Sequence, residues 1–95
     1  MKRLRIKMDA KKAKIKGQEI DSTVRIGKKG IDENMVDEIE RQLEDKELIK
    51  IKVLRNNPIQ DIDEIVEILE ENIRGKAVEV RGKTILLAAN ELLEK

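Results

Sequence analysis

The sequence predicts a two-layer α/β domain in which a mixed four-stranded sheet carries helices on one face. Three observations lead to this prediction. Apolar residues recur at helical spacing in two segments and alternate with polar ones in others. Glycine, proline and aspartate residues divide these segments into the order β-α-β-α-β-β. Because βαβ crossovers are right-handed, strands that advance in one direction place both helices on one face and leave the other face open.

The segment before the first strand, residues 1–22, has mixed signals. Residues 4–8 alternate as in a strand, whereas residues 10–15 contain good helix formers that Gly17 could terminate. We expect a short basic helix over about residues 9–16 behind a loose N-terminus. A basic arm that does not contact the rest of the domain is the alternative.

The first strand and the first long helix follow this segment. The strand covers residues 23–26, and Asp32 is suited to cap the helix. Ile31, just before this cap, can contact Val36 as a hydrophobic staple. Apolar residues then mark one face and charged residues the other, which predicts an amphipathic helix that ends near residue 45.

Residues 48–54 show the clearest strand pattern of the chain. Every second residue is apolar, and the side chains expected in the core are Ile49, Ile51 and Val53. Lys50 and Lys52 therefore share the opposite face. On the sequence alone, these lysines either keep an open sheet face hydrated or contact a ligand.

The second half of the chain adds a helix and a hairpin. The elements expected there are a helix over residues 61–74 and strands over residues 77–81 and 84–89. Asp61 and Glu64 have the spacing of a capping box, and Gly75 would end the helix. Gly82 and Lys83 form a two-residue hairpin turn.

No repeat or linker divides the chain, so we expect one domain. Its parts are a basic N-terminal segment of residues 1–22, an α/β region of residues 23–89 and a tail of residues 90–95 with room for one helical turn. The net charge of +1 conceals a split, because residues 1–30 carry eleven Lys and Arg against three acids. This imbalance favours a polyanionic partner, although a merely hydrated basic segment has the same composition.

Composition excludes several classes of function. The chain has no His and no Cys, so the commonest general base, the thiol nucleophile and the usual zinc sites are absent. We expect no enzymatic activity, no cofactor or metal and no small-molecule substrate. No apolar run is long enough for a membrane span or a signal peptide, so a cytoplasmic protein without a membrane partner is the default. The chain has no Phe, Tyr or Trp, which excludes base stacking on aromatic rings.

The sequence Gly27-Lys28-Lys29-Gly30 links the first strand to the first long helix. Glycines let a backbone approach a ligand closely, and two ammonium groups lie between them. The helix that follows directs its free N–H groups toward the same turn, which would suit a nucleic-acid backbone. The alternative is a tight turn with two hydrated lysines, because Gly-x-x-Gly is common. The motif is too short for a phosphate-binding Walker loop.

The glycine motif and two later segments together form a more extensive pattern. They are Ile-Gly-Lys-Lys-Gly-Ile at residues 26–31, Glu-Leu-Ile-Lys-Ile-Lys-Val at residues 47–53, and Val-Glu-Val-Arg-Gly-Lys-Thr-Ile-Leu-Leu at residues 78–87. In kind and spacing they resemble the YhbY / CRM-domain family of RNA-binding proteins. The resemblance covers about residues 23–89 and is far more specific than the glycines alone. The N-terminus departs from the family pattern of a longer, more apolar first helix.

The resemblance implies a mixed four-stranded sheet with helices on one face, similar to the C-terminal domain of translation initiation factor three. It also implies RNA binding through the Gly-x-x-Gly turn, as in KH domains, and a link to precursors of the large ribosomal subunit. The residues that we expect to contact RNA are Arg25, Gly27, Lys28, Lys29, Gly30, Lys50, Lys52 and Arg55. Secondary contacts are expected from Lys11, Lys12, Lys14 and Lys16.

Two other functions stay open. An Alba-like DNA- or chromatin-associated protein has a similar small fold and a Gly-Lys-Lys loop, but it also has a long flexible hairpin. The tight turn at Gly82 and Lys83 leaves no room for that hairpin, which favours an RNA-binding ribosome-assembly factor. A protein-interaction module that uses the acidic helix faces is a weaker third option.

Overall fold

The computed structural model describes residues 9–59, 61–90 and 92, and this part of the chain forms three helices and four strands. In chain order the elements are α1 (Ala10–Gly17), β1 (Ser22–Ile26), α2 (Glu33–Lys46), β2 (Leu48–Val53), α3 (Ile62–Asn72), β3 (Gly75–Arg81) and β4 (Thr84–Ala89). The α/β class, the element order and the short basic first helix agree with the prediction. The strand-like alternation of residues 4–8 and a helical turn at residues 91 and 93–95 lie outside the described residues.

The four strands form one mixed sheet in the order β1-β2-β4-β3. β1 pairs with β2 in parallel, and β4 lies antiparallel between β2 and β3. β2 and β3 therefore run in the same direction, and α3 connects them across the intervening β4. The ends of β1, β2 and β3 and the start of β4 consequently meet at one edge of the sheet.

Helices α2 and α3 cover one face of the sheet, as predicted. Their fully buried side chains Ile39, Ile65 and Leu69 form a cluster with Ile49 and Ile51 of β2. Each such isoleucine or leucine stabilises the fold by about 1.5–3 kcal/mol through removal of apolar surface from water. The predicted alternation in β2 is confirmed, because Ile49, Ile51 and Val53 are buried in this core.

The opposite face of the sheet was expected to be open, and this expectation was wrong for the part that α1 covers. Ala13 of α1 is fully buried in a second cluster with Leu48, Leu86, Ala88 and Leu92. These β2 and β4 positions alternate with those of the main core, so α1 lies on the other side of the sheet. The first helix is therefore part of the fold, and it leaves the half of this face nearest the β1–α2 turn uncovered.

Aspartates cap all three helices. Asp9 accepts a hydrogen bond from the Lys12 N–H, and Asp32 accepts one from the Met35 N–H. Asp61 accepts from the Asp63 N–H, one residue short of the position that the predicted capping box requires. These caps set the helix starts by satisfying N–H groups that have no partner within the helix.

The predicted role of Gly75 as a helix stop is wrong. α3 ends at Asn72 because Ile73 is already extended, and β3 begins at Gly75, two residues earlier than predicted. Gly75 does not have a positive φ. A Cβ atom there would lie 2.9 Å from both the Ala88 carbonyl oxygen and Leu43 Cδ1, so this glycine permits close approach of β3 to β4 and α2.

Candidate nucleic-acid interface

The segment Gly27–Gly30 forms a closed turn at the end of β1. The Gly30 N–H donates to the Gly27 carbonyl oxygen at 2.9 Å, and Gly30 has a φ of +68°. Such a φ favours glycine, because a side chain strains the left-handed backbone. Lys28 and Lys29 lie at the tip and are exposed. The turn therefore presents two ammonium groups on a short, hydrogen-bonded backbone.

The two glycines have different roles. Gly30 is buried, and a Cβ atom there would lie 3.1 Å from Pro58 Cγ. A Cβ atom on Gly27 would meet Leu54 and Asn56 only at ordinary contact distances of 3.5 and 3.6 Å. Gly30 is thus required by its own backbone conformation and by Pro58, whereas the fold has room for a Cβ atom at Gly27.

The expected contribution of the α2 N-terminus to anion binding stays a prediction, and two carboxylates lie close to it. Asp32 and Glu33 place two carboxylates at this helix start, and Asp32 already accepts the Met35 N–H at 2.9 Å. Aspartate at a helix N-terminus stabilises the helix by satisfying its N–H groups and its dipole. The lysines supply the formal positive charge of the turn.

A second ordered loop supports the turn from the side of β2. The Leu54 N–H donates to the Ile26 carbonyl oxygen at 2.9 Å, which joins the two loops where their strands end. Asn57 is buried, donates from Nδ2 to the Leu54 carbonyl oxygen at 2.8 Å and accepts the Ile59 N–H at 2.8 Å. These bonds hold the exposed Arg55 beside the glycine turn.

The strand register arranges mostly polar side chains in two rows on the α1 face of the sheet. The first row crosses all four strands and consists of Arg25, Lys52, Thr84 and Arg81. The second row consists of Ser22, Lys50, Leu86 and Glu79. Arg25, Lys50 and Lys52 therefore share one face, as their alternation predicted. Arg25 and Lys52 are exposed, and Lys50 is half-buried.

Arg81 and Lys83 also lie at this edge, although neither was among the predicted contacts. The Val53 N–H donates to the Lys83 carbonyl oxygen at 2.7 Å, which holds the hairpin turn against the end of β2. Both side chains are exposed. Their proximity to Lys52 depends on the insertion of β4 between β2 and β3. The Gly-Lys motif of the hairpin turn was the feature of the sequence that could have indicated these two residues.

The structure separates the α1 lysines from the glycine turn. Lys11, Lys12, Lys14 and Lys16 are exposed on α1. α1 packs over Leu48, whereas the turn lies beyond Val53, so about 16 Å of β2 separates them. The α1 lysines therefore lie toward the end of the sheet that is farthest from the turn, and they are not part of the cluster of cations around it.

Seven exposed cations, here called the basic edge, lie together at this end of the sheet and suit a polyanion: Arg25, Lys28, Lys29, Lys52, Arg55, Arg81 and Lys83. Within residues 9–59, 61–90 and 92, no group of three or more Asp or Glu residues is arranged to hold a metal ion. In the same part of the chain, no helix has the length and apolar character needed to cross a bilayer. The basic edge places lysine and arginine side chains on loops that backbone hydrogen bonds hold in place, and such side chains can contact phosphates.

Comparisons with known proteins show which family and which fold this chain resembles. The family model for the CRS1 / YhbY (CRM) domain matches residues 7–88. The Bacillus subtilis (strain 168) protein named "Probable RNA-binding protein YqeI" is 35% identical over 72 residues, which cover 76% of this chain and 74% of that protein. The solution structure of the hypothetical protein SAV1595 from Staphylococcus aureus, named as a candidate RNA-binding protein, has a TM-score of 0.71 and 36% identity over 90% of this chain and 88% of that chain.

Proposed function

This chain belongs to the CRS1 / YhbY (CRM) domain family, and we propose that it binds RNA through the Gly27–Gly30 turn and the neighbouring basic edge. The observation that carries the proposal is the convergence of three loops at one end of the sheet. Each loop brings exposed cations, namely Lys28 and Lys29, Arg55, and Lys83. Hydrogen bonds between backbones hold the second and third loops in place beside the strands.

The chemistry of the edge favours contacts to the RNA backbone. Lysine and arginine side chains neutralise phosphates and release bound counterions, which makes affinity depend on salt. The chain has no aromatic residue, so bases cannot stack on aromatic rings as they do in many RNA-binding domains. Recognition therefore relies on phosphates, shape and 2′-hydroxyls over most of the interface.

The partner that we propose is ribosomal RNA in a precursor of the large subunit. In this role the protein acts in the cytoplasm as an assembly factor without enzymatic activity or a cofactor. Crosslinking in cells, followed by sequencing of the bound RNA, tests this. Enrichment of large-subunit precursor RNA is the expected result, and enrichment of messenger RNA or small-subunit RNA alone would contradict the ribosomal role.

Binding to RNA and to duplex DNA of matched length separates this function from an Alba-like one. The B-form duplex lacks the 2′-hydroxyls and the A-form shape, so we expect tighter binding to RNA at equal salt. Preference for duplex DNA would favour the Alba-like function. Failure to bind either nucleic acid would favour a protein-interaction module.

A further inference from the structure

A groove on the α1 face adjoins the basic edge and has a different chemistry. One wall is the end of α1 and the segment that leads to β1, and the opposite wall is β3. The lining residues that matter here are Gly17, Asp21, Lys50, Glu79, Arg81 and Leu86. The groove's volume of about 480 Å³ lies within the range of small-molecule sites.

Close packing of α1 builds the first wall. Gly17 lies so near to Leu86 that a Cβ atom there would clash with Leu86 Cδ2. The backbone then turns through hydrogen bonds from the Gln18 N–H to the Ile15 carbonyl oxygen and from the Ile20 N–H to the Gly17 carbonyl oxygen. The wall is therefore a fixed part of the fold, with apolar Leu86 beneath it.

The groove contains carboxylates, which a surface that binds only phosphates would lack. Glu79 lies in the same row as Lys50, and its partly buried side chain is 3.7 Å from the guanidinium of Arg81. Asp21 lines the same space. Carboxylates repel phosphate but accept hydrogen bonds from the N–H groups of nucleobases. The lysine and arginine side chains of the groove are therefore suited to bind the phosphate of a nucleotide, and the carboxylates of the groove are suited to bind the base.

We propose that this groove binds one unstacked guanine nucleotide of the RNA, whose base is read by Glu79. This inference rests on the proposed function. The Watson–Crick edge of guanine presents its N1–H and its N2 amino group side by side, which one carboxylate can accept together. Adenine and cytosine offer one amino group each, and uracil flanks its N3–H with two carbonyl oxygens that repel a carboxylate. The nucleotide must be unpaired because its Watson–Crick edge contacts Glu79.

The test measures binding of three labelled uridine-rich RNA strands that differ only at one central position: guanosine, inosine or uridine. Inosine lacks the N2 amino group and so retains half of the proposed contact. We expect guanosine to bind at least about fivefold more tightly than uridine, with inosine between them. In the Glu79→Gln variant, the ratio of the affinity for the guanosine strand to that for the uridine strand should fall to less than half of its value in the unmodified protein. The control variant Glu71→Gln, on α3, should retain the original ratio.

The outcomes separate this inference from the proposed function. Equal affinity of the unmodified protein for all three strands would overturn the guanine site and leave RNA binding intact. An equal gain in affinity for all strands in Glu79→Gln would also overturn it, because that result reflects only loss of a negative charge. Absence of binding to every RNA would instead refute the proposed function.

Discussion

Replacement of Lys28 and Lys29 by alanine should weaken RNA binding without loss of stability. Both side chains are exposed at the tip of a turn whose closing hydrogen bond joins backbone atoms of Gly27 and Gly30. Surface substitutions of this type change the free energy of unfolding by about 0.5 kcal/mol or less. A change in affinity would therefore report lost contacts and not a damaged fold.

Counterion release sets the size of the effect. Each phosphate contact to single-stranded RNA contributes about 0.7 to the slope of log K against log salt, so loss of two contacts should flatten the slope by about 1.4. We take about 1 M salt as the concentration at which these contacts contribute nothing to affinity. The variant should then bind RNA about 25-fold more weakly at about 0.1 M salt and about tenfold more weakly at about 0.2 M salt. Fluorescence anisotropy of a labelled RNA over a salt series measures both quantities.

Arg41→Ala with Arg74→Ala is the matched control, because it removes the same charge from the side of α2 and α3. Arg41 pairs with Glu38 at 2.6 Å on an exposed surface, and such pairs contribute little to stability. The control should keep the original slope. If both double variants lose the same affinity, net charge alone explains the effect. An unchanged slope in the lysine variant would refute the assignment of phosphate contacts to the turn.

Three further changes test the sheet face and the packing. Lys50→Glu with Lys52→Glu should abolish RNA binding while circular dichroism stays native, and retained affinity and salt slope would confine recognition to the turn. Deletion of residues 1–16 should lower Tm, because Ala13 is fully buried against the sheet; an unchanged Tm would show that α1 does not contribute to stability. Gly75→Ala should destabilise by about 1–3 kcal/mol through overpacking, which denaturant unfolding measures, and a stability equal to that of the parent would contradict the close approach.

Much of the local structure could be predicted because its causes are local. Asp32 and Asp61 mark helix starts since an aspartate side chain reaches only the N–H groups two or three residues ahead. The period-two pattern of β2 assigned Lys50 and Lys52 to one face before any strand partner was known. Gly82, with a φ of +58°, formed the turn that its position in the sequence indicated. RNA contact by these lysines stays a prediction.

The position of α1 had a signal in the sequence that the alternation argument missed. β4 is apolar on both faces, and Leu86 and Ala88 are as buried as Ile85 and Leu87. A strand that is apolar on both sides needs cover on both sides. The pattern thus indicated that a further element covers the second face, although it did not identify that element as α1.

The sequence by itself determined where the helices and strands lie, which residues cap them and which side chains alternate together. Only the tertiary structure decided that β4 enters between β2 and β3, and this pairing brings Arg81 and Lys83 to Lys52. It also decided that Gly17 brings α1 onto Leu86, which forms the wall of the groove. The physical reason is range, because caps and periodicity act within a few residues, whereas strand order and close packing depend on segments far apart in the chain.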